Sequence, residues 1–134
     1  MNKDELVEFR KWGELKGDIH FNNIAPYCRR GEIRWVYLGK NIGTESLGKS
    51  NSYSRPVLIF KKVFGHSCLA IPLTSQIKQG DYYYNFQADD GVYYCALLAQ
   101  IRYLDGKRIR QKISFVRPCV FSNIQNAFFD FIKK

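Results

Sequence analysis

Between Glu32 and Val116 the chain is a succession of short apolar stretches, each closed by a turn signal. That punctuation constrains the fold more than any other feature, because it reads as strands rather than long helices. In the first stretch Ile33, Trp35 and Tyr37 alternate with Arg34, Val36 and Leu38. Arg55 to Val63, Ser67 to Leu73, Tyr82 to Gln87 and Val92 to Leu98 follow. Gly65-His66, Gln79-Gly80-Asp81 and Asp89-Asp90-Gly91 separate them, the last being a strong hairpin turn. Ile101 to Leu104 continues the sheet and Asp105-Gly106 turns. Lys107 to Gln111 reads as a basic helical turn and Ile113 to Val116 as a final short strand. The expectation is a mainly β fold with flanking helices: a small, strongly bent antiparallel sheet or barrel.

Helices flank this region. Leu6, Phe9, Trp12 and Leu15 recur every third residue, which predicts a short helix over residues 3–16, closed by Lys16-Gly17. Asp18 to Arg30 reads as a connector. Pro118 near the start of a last helix, with Ile124, Phe128, Phe131 and Ile132 as its apolar face, ends the chain. A polar loop, Gly39 to Ser54, is longer than an ordinary hairpin connection, and such loops often carry function. With 134 residues the expected organisation is an N-terminal helical extension over 1–30 and one domain over 31–134.

Lysine and arginine number 21 against 12 acidic residues, a formal charge of +9. Such a balance points to an anionic partner: nucleic acid, an acidic protein segment or a membrane surface. No apolar run reaches the ~18 residues of a membrane span, and residues 1–6 lack a signal-peptide core, so a cytoplasmic location is expected. Cys28, Cys68, Cys95 and Cys119 lie far apart. Cys68 and Cys95 sit in apolar strand patterns and read as buried thiols. Neither His20 nor His66 is spaced with a cysteine as a zinc ligand, and no cofactor is implied.

Two polar signatures stand at strand ends. Arg55 opens the stretch Ser54-Arg55-Pro56-Val57-Leu58-Ile59-Phe60, and Thr74-Ser75 ends Ala70-Ile71-Pro72-Leu73. Arginine, threonine and serine are poor acids and bases at their free pKa values. They suit holding and charge-stabilising a phosphate.

Taken in order, these pieces resemble the MazF/PemK/Kid family of toxin endoribonucleases from toxin–antitoxin systems, from about Arg30 to Pro118. Arg30-Gly31-Glu32-Ile33-Arg34-Trp35-Val36-Tyr37-Leu38-Gly39 is similar to the family's opening strand, and Asn41-Ile42-Gly43-Thr44-Glu45-Ser46 to its first loop. Arg55-Pro56-Val57-Leu58 supplies the signature that follows. Leu73-Thr74-Ser75-Gln76-Ile77 and Ala99-Gln100-Ile101-Arg102-Tyr103-Leu104-Asp105 supply the later motifs.

The resemblance implies an SH3-like barrel that dimerises and cuts single-stranded RNA without a metal. The RNA's own 2′-OH is the nucleophile and a 2′,3′-cyclic phosphate the product, which accounts for the missing protein nucleophile. Arg55 and Thr74 would hold the scissile phosphate, with Ser75 assisting. Glu45, Lys49, Gln76, Gln100, Arg102, Lys107 and Arg108 would contact RNA. A cognate antitoxin with an acidic, disordered segment is the implied partner.

The chain departs from the family pattern in places. Its 43–55 loop is longer, Thr44 stands where some members have histidine, and Ala99 and Leu97 replace acidic and arginine residues. Arg55 and Thr74 must then carry catalysis alone. Each feature also has a plainer reading: Arg55 as a surface ion pair, Thr74 and Ser75 as strand-end caps, Gln100 as a backbone partner, Glu45 as a solvated loop carboxylate. Lys107, Arg108, Arg110 and Lys112 could track RNA, dock an acidic antitoxin segment or form a solvated face. Tyr82 and Tyr84 share a strand face and could stack bases or pack. Two other functions fit the same scaffold: a CcdB-like toxin that binds a topoisomerase, and a nucleic-acid-binding relative without chemistry.

Overall fold

The computed structural model describes residues 3–22, 25–38 and 54–134. The N-terminal helix α1 spans Lys3–Asn22, six residues beyond the expected end at 16. Gly17 does not stop it, because Ile19 continues the apolar stripe and is buried with Trp12 in a small cluster that also takes in Leu15 and Tyr37. A mid-helix glycine costs only about 1 kcal/mol, which this burial offsets.

Seven strands follow among the described residues: β1 Glu32–Tyr37, β2 Ser54–Lys62, β3 Cys68–Thr74, β4 Tyr83–Gln87, β5 Tyr93–Leu97, β6 Arg102–Leu104 and β7 Ile109–Phe115. Every pairing is antiparallel, in the order β4-β5-β3-β2-β1-β7, with β6 also on β3. Among the described residues the sheet bends sharply without closing, and β4, β6 and β7 each pair with a single strand. At the β4–β5 hairpin Gly91 takes a φ of +87° and its N–H bonds the Ala88 carbonyl, as the Asp-Gly pair predicts.

The basic segment near the C-terminus differs from expectation. Only Gly106–Arg108 form a 3₁₀ turn, capped by the Asp105 carboxylate on the Lys107 N–H. From Ile109 the chain is already β7. As an edge strand β7 needs few apolar residues, so Arg110, Gln111 and Lys112 disguise it. Gly106 allows close approach: a β-carbon there would collide with the His66 carbonyl oxygen and the Ala25 β-carbon.

Helix α2, Pro118–Lys133, covers one face of the sheet with Pro118 in its first turn. Phe121 and Ile124 are buried there against Leu58, Ile71, Leu73, Ala96 and Leu98, with Phe128 and Phe131 packed alongside. Phe121 replaces Ile132 in the expected stripe, for Ile132 is exposed. The opposite face holds a second apolar cluster of Cys28, Val36, Leu38, Val57, Ile59, Cys68, Ala70, Leu104 and Ile109. Cys28, Cys68 and Cys95 are buried free thiols, and Cys119 is exposed. No helix among the described residues is long and apolar enough to cross a membrane.

Candidate functional site

Arg55 and Thr74 lie far apart in sequence, and register puts them on one face of the sheet. β2 and β3 pair as Val57↔Pro72, Leu58↔Ile71 and Ile59↔Ala70. These pairs stop at Val57↔Pro72, and Arg55 and Thr74 each lie two residues beyond it, on the same face as that pair by strand alternation. That placement depends on an irregularity. Nearer the hairpin the pairs are Lys61↔Leu69 and Lys62↔Cys68, so Phe60 is an extra residue on β2. Without this bulge the two strands would be out of step by one residue, and Thr74 would share a face with Pro56 rather than with Arg55.

The row extends across the sheet. Arg55 pairs with Val36 and Val36 with Ile109; on the other side Thr74 pairs with Cys95 and Cys95 with Asn85. Directly opposed residues share a face. Val36 and Ile109 belong to the cluster on the face away from α2, so Arg55 and Thr74 open on that side.

Thr74 is nearly fully buried. Its Oγ1 accepts the Gln76 N–H at 3.2 Å, which fixes the oxygen and leaves the hydroxyl proton to be donated elsewhere. Ser75 and Gln76 follow in the turn with exposed side chains. Arg55 is half-buried, and burial lowers the pKa of its guanidinium. An arginine so placed stays charged while facing little competing water.

Beside Arg55, buried Ser54 accepts a 2.8 Å bond from Arg110 Nη1, and the Arg110 guanidinium stacks 4.9 Å from the Tyr37 ring. Sequence reasoning passed over Ser54 as a site neighbour. It also missed Asn85, whose buried Oδ1 has no hydrogen-bond partner among the described residues while its Nδ2 donates to the Lys78 carbonyl. The only available signal was strand parity, unreadable before the bulge is known.

The remaining residues divide. Arg102 opposes Ala70, four residues along β3 from Thr74 and so about 13 Å away. Gln100 ends the 3₁₀ turn Leu98–Gln100 just before it. Lys107 Nζ donates to the His20 carbonyl at the end of α1. Arg108 donates to the Tyr37 carbonyl at 3.2 Å and stacks on Trp12. Burial lowers the Arg108 pKa, as does the charge of Arg102, with Asp105 opposing them. These two cations thus hold α1 to the sheet. Tyr82 packs edge-on to Phe131 and Tyr84 on the core beneath α2. Glu45 and Lys49 lie outside the described residues, as does most of the long loop.

Solved structures with this fold include MazF from Deinococcus radiodurans, at TM-score 0.63 and 19% identity, covering 81% of this chain and 100% of that one. An endoribonuclease from a mycobacterial species, solved in complex with its cognate antitoxin, also aligns at TM-score 0.63, with 15% identity over 80% of this chain and 96% of that one. The Mycobacterium tuberculosis toxin MazF-mt6 aligns at 0.58, with 10% identity over 76% and 96%. Comparison with curated proteins gave no match. The family profile described as the PemK-like, MazF-like toxin of type II toxin–antitoxin systems matches residues 29–132, which take in β1 to β7 and nearly all of α2. On that match the chain belongs to the PemK-like, MazF-like toxin family of type II toxin–antitoxin systems.

Proposed function

We propose that the protein is a sequence-specific endoribonuclease that cleaves single-stranded RNA by transesterification. The observation that supports this reading is the β2–β3 register, which leaves Arg55 and Thr74 on one face just past its last pair, Val57↔Pro72. The 2′-oxygen of the substrate attacks the adjacent phosphorus and gives its proton to solvent. The bond from phosphorus to the 5′-oxygen breaks, and that oxygen takes up a proton. A 2′,3′-cyclic phosphate and a 5′-hydroxyl result. Because RNA supplies the nucleophile, the protein's task is charge stabilisation and alignment. Arg55 presents a planar fork to the phosphate oxygens, which a lysine cannot copy. Thr74 donates its hydroxyl proton to the same group, and Ser75 assists from the turn. Arg102, on the same side, and Gln100 and Gln76, in the adjoining turns, are candidates for RNA contacts.

The partner in this reading is an antitoxin with an acidic segment that folds across the basic face, and the working form is a homodimer. The relative solved in complex with its cognate antitoxin supports an antitoxin as partner. The test is incubation of purified protein with long single-stranded RNA in EDTA, beside Arg55→Ala, with mapping of fragment ends. Discrete cuts lost in the variant support the reading. Intact RNA with folded protein refutes it.

A further inference from the structure

A second basic hollow lies one step from Arg55. Arg55 opposes Val36, so Arg34, two residues back on β1, is its diagonal neighbour at about 7–8 Å on the same face. From Arg34 a cavity of about 520 Å³ opens along the β1–β7 edge. Its lining includes Tyr27, Arg29, Arg30, Glu32, Lys112 and Phe115, four cations to one carboxylate when Arg34 is counted.

The pocket is held in shape from within. Arg34 binds Glu32 through Nε, the Arg110 carbonyl through Nη1 and the Tyr27 carbonyl through Nη2. Glu32 also accepts the Arg29 N–H and lies 3.6 Å from Lys112 Nζ. The carboxylate and Arg34 are therefore committed to structure; Arg29 and Lys112, the latter paired with Glu32 yet 46% exposed in its side chain, stand at the rim, and Arg30 lies 5.0 Å over the Phe121 ring. Two aromatic rings are presented with them. Tyr27 is 72% exposed, with Arg29 and Lys62 within 6 Å of its ring centre. Phe115 is 40% exposed, with Lys112 at 5.2 Å. Exposed rings bordered by cations are the elements that bind single strands: bases stack on the ring and phosphates meet the charge.

We propose that this pocket binds a nucleotide of the RNA strand next to the one cleaved, its base stacked on Tyr27 and its phosphate between Arg29 and Lys112. This rests on the nuclease reading above and names where its substrate continues. Tyr27 precedes the residues that match the family, so the pocket is completed by this chain's own N-terminal segment.

The test measures binding of a fully 2′-O-methylated 12-nucleotide RNA, which cannot be cut, by fluorescence anisotropy over a salt series. The proteins are the full-length chain, Tyr27→Ala, Arg29→Ala, Arg29→Lys and the control Lys133→Ala, each checked for folding by circular dichroism. Tyr27→Ala is expected to weaken binding about 5- to 150-fold, the worth of one stack. Arg29→Ala should lower the slope of log K against log salt by about 0.7, while Arg29→Lys and Lys133→Ala keep it. Unchanged affinity and slope in Tyr27→Ala and Arg29→Ala, beside Arg55-dependent cutting of unmodified RNA, overturn the pocket and leave the nuclease standing. Absence of both binding and cutting in the unaltered protein overturns both. If these variants lose binding of poly-glutamate but not of RNA, the pocket serves an acidic peptide and the proposal fails.

Discussion

Thr74→Val separates the chemistry of the site from its architecture. The two side chains have nearly the same shape, so the buried methyl contacts of a residue only 4% exposed survive. What is lost is one oxygen, with its 3.2 Å bond from the Gln76 N–H. That N–H belongs to an exposed residue and can turn to water, so the stability cost is small, about 0.5–1 kcal/mol. For a chain of this size that lowers the Tm by about 2–4 °C. The catalytic loss is much larger. A donor aimed at developing charge is worth about 10²–10³ in rate, or about 2.7–4 kcal/mol. Thr74→Ser is the counterpart: it keeps the hydroxyl and forfeits a buried methyl, about 0.8 kcal/mol. The pair should melt within a few degrees of each other yet differ at least about 30-fold in single-turnover cleavage with enzyme in excess. If Thr74→Val cuts within about threefold of the unaltered protein, or if both variants are equally slow, Thr74 does not act through its hydroxyl.

Three further outcomes follow from the same geometry. Arg55→Lys keeps the charge but not the fork, so cleavage should fall about 10²-fold or more with little change in melting; restored rate in the lysine variant would count against bidentate phosphate contact. Burial pushes the Glu32 carboxyl up, but the Arg29 N–H, Arg34 and Lys112 outweigh it and hold the pKa below its ordinary value. Its contribution to stability is therefore complete above about pH 4.3 and lost as pH falls through the lower folded value, so urea titrations of Glu32→Gln should show a flatter acid limb than the unaltered protein. Burial, then the charge of Cys28, push the Cys68 thiol up to about 12 against the opposing pull of Lys62. With iodoacetamide at about pH 8, mass spectrometry should find Cys119 alkylated and Cys68 untouched until the protein is unfolded.

Local rules made most of the sheet legible. Alternation marked β1, Asp90-Gly91 marked the β4–β5 hairpin, and Pro118 opened α2 where its missing N–H costs nothing. What failed was set by tertiary context. Gly17 should end a solvated helix, and does not, because Ile19 finds a buried place beside Trp12. The stretch 109–112 has too few apolar residues to read as a strand, yet pairing to β1 makes it one. The candidate site shows the deeper limit. Arg55 and Thr74 could be singled out as phosphate-holding types, but their sharing a face turns on the extra residue at Phe60, and no local pattern announces it. The same blindness hid Asn85 and Ser54, whose relevance comes only from sharing that row or its edge.

The arginines at the β1–β7 edge bear on how this sequence can drift. Arg34 reaches three separate acceptors with three different nitrogens, Arg108 joins the Tyr37 carbonyl to the Trp12 ring, and Arg110 joins Ser54 to Tyr37. A lysine presents all its protons from one point and cannot span such pairs. Replacing these three by lysine would leave the net charge of +9 and the long-range field untouched while dissolving the joints that seat α1 and shape the Arg34 hollow. For this molecule, charge conservation and structural conservation are different constraints, and a count of basic residues measures only the first.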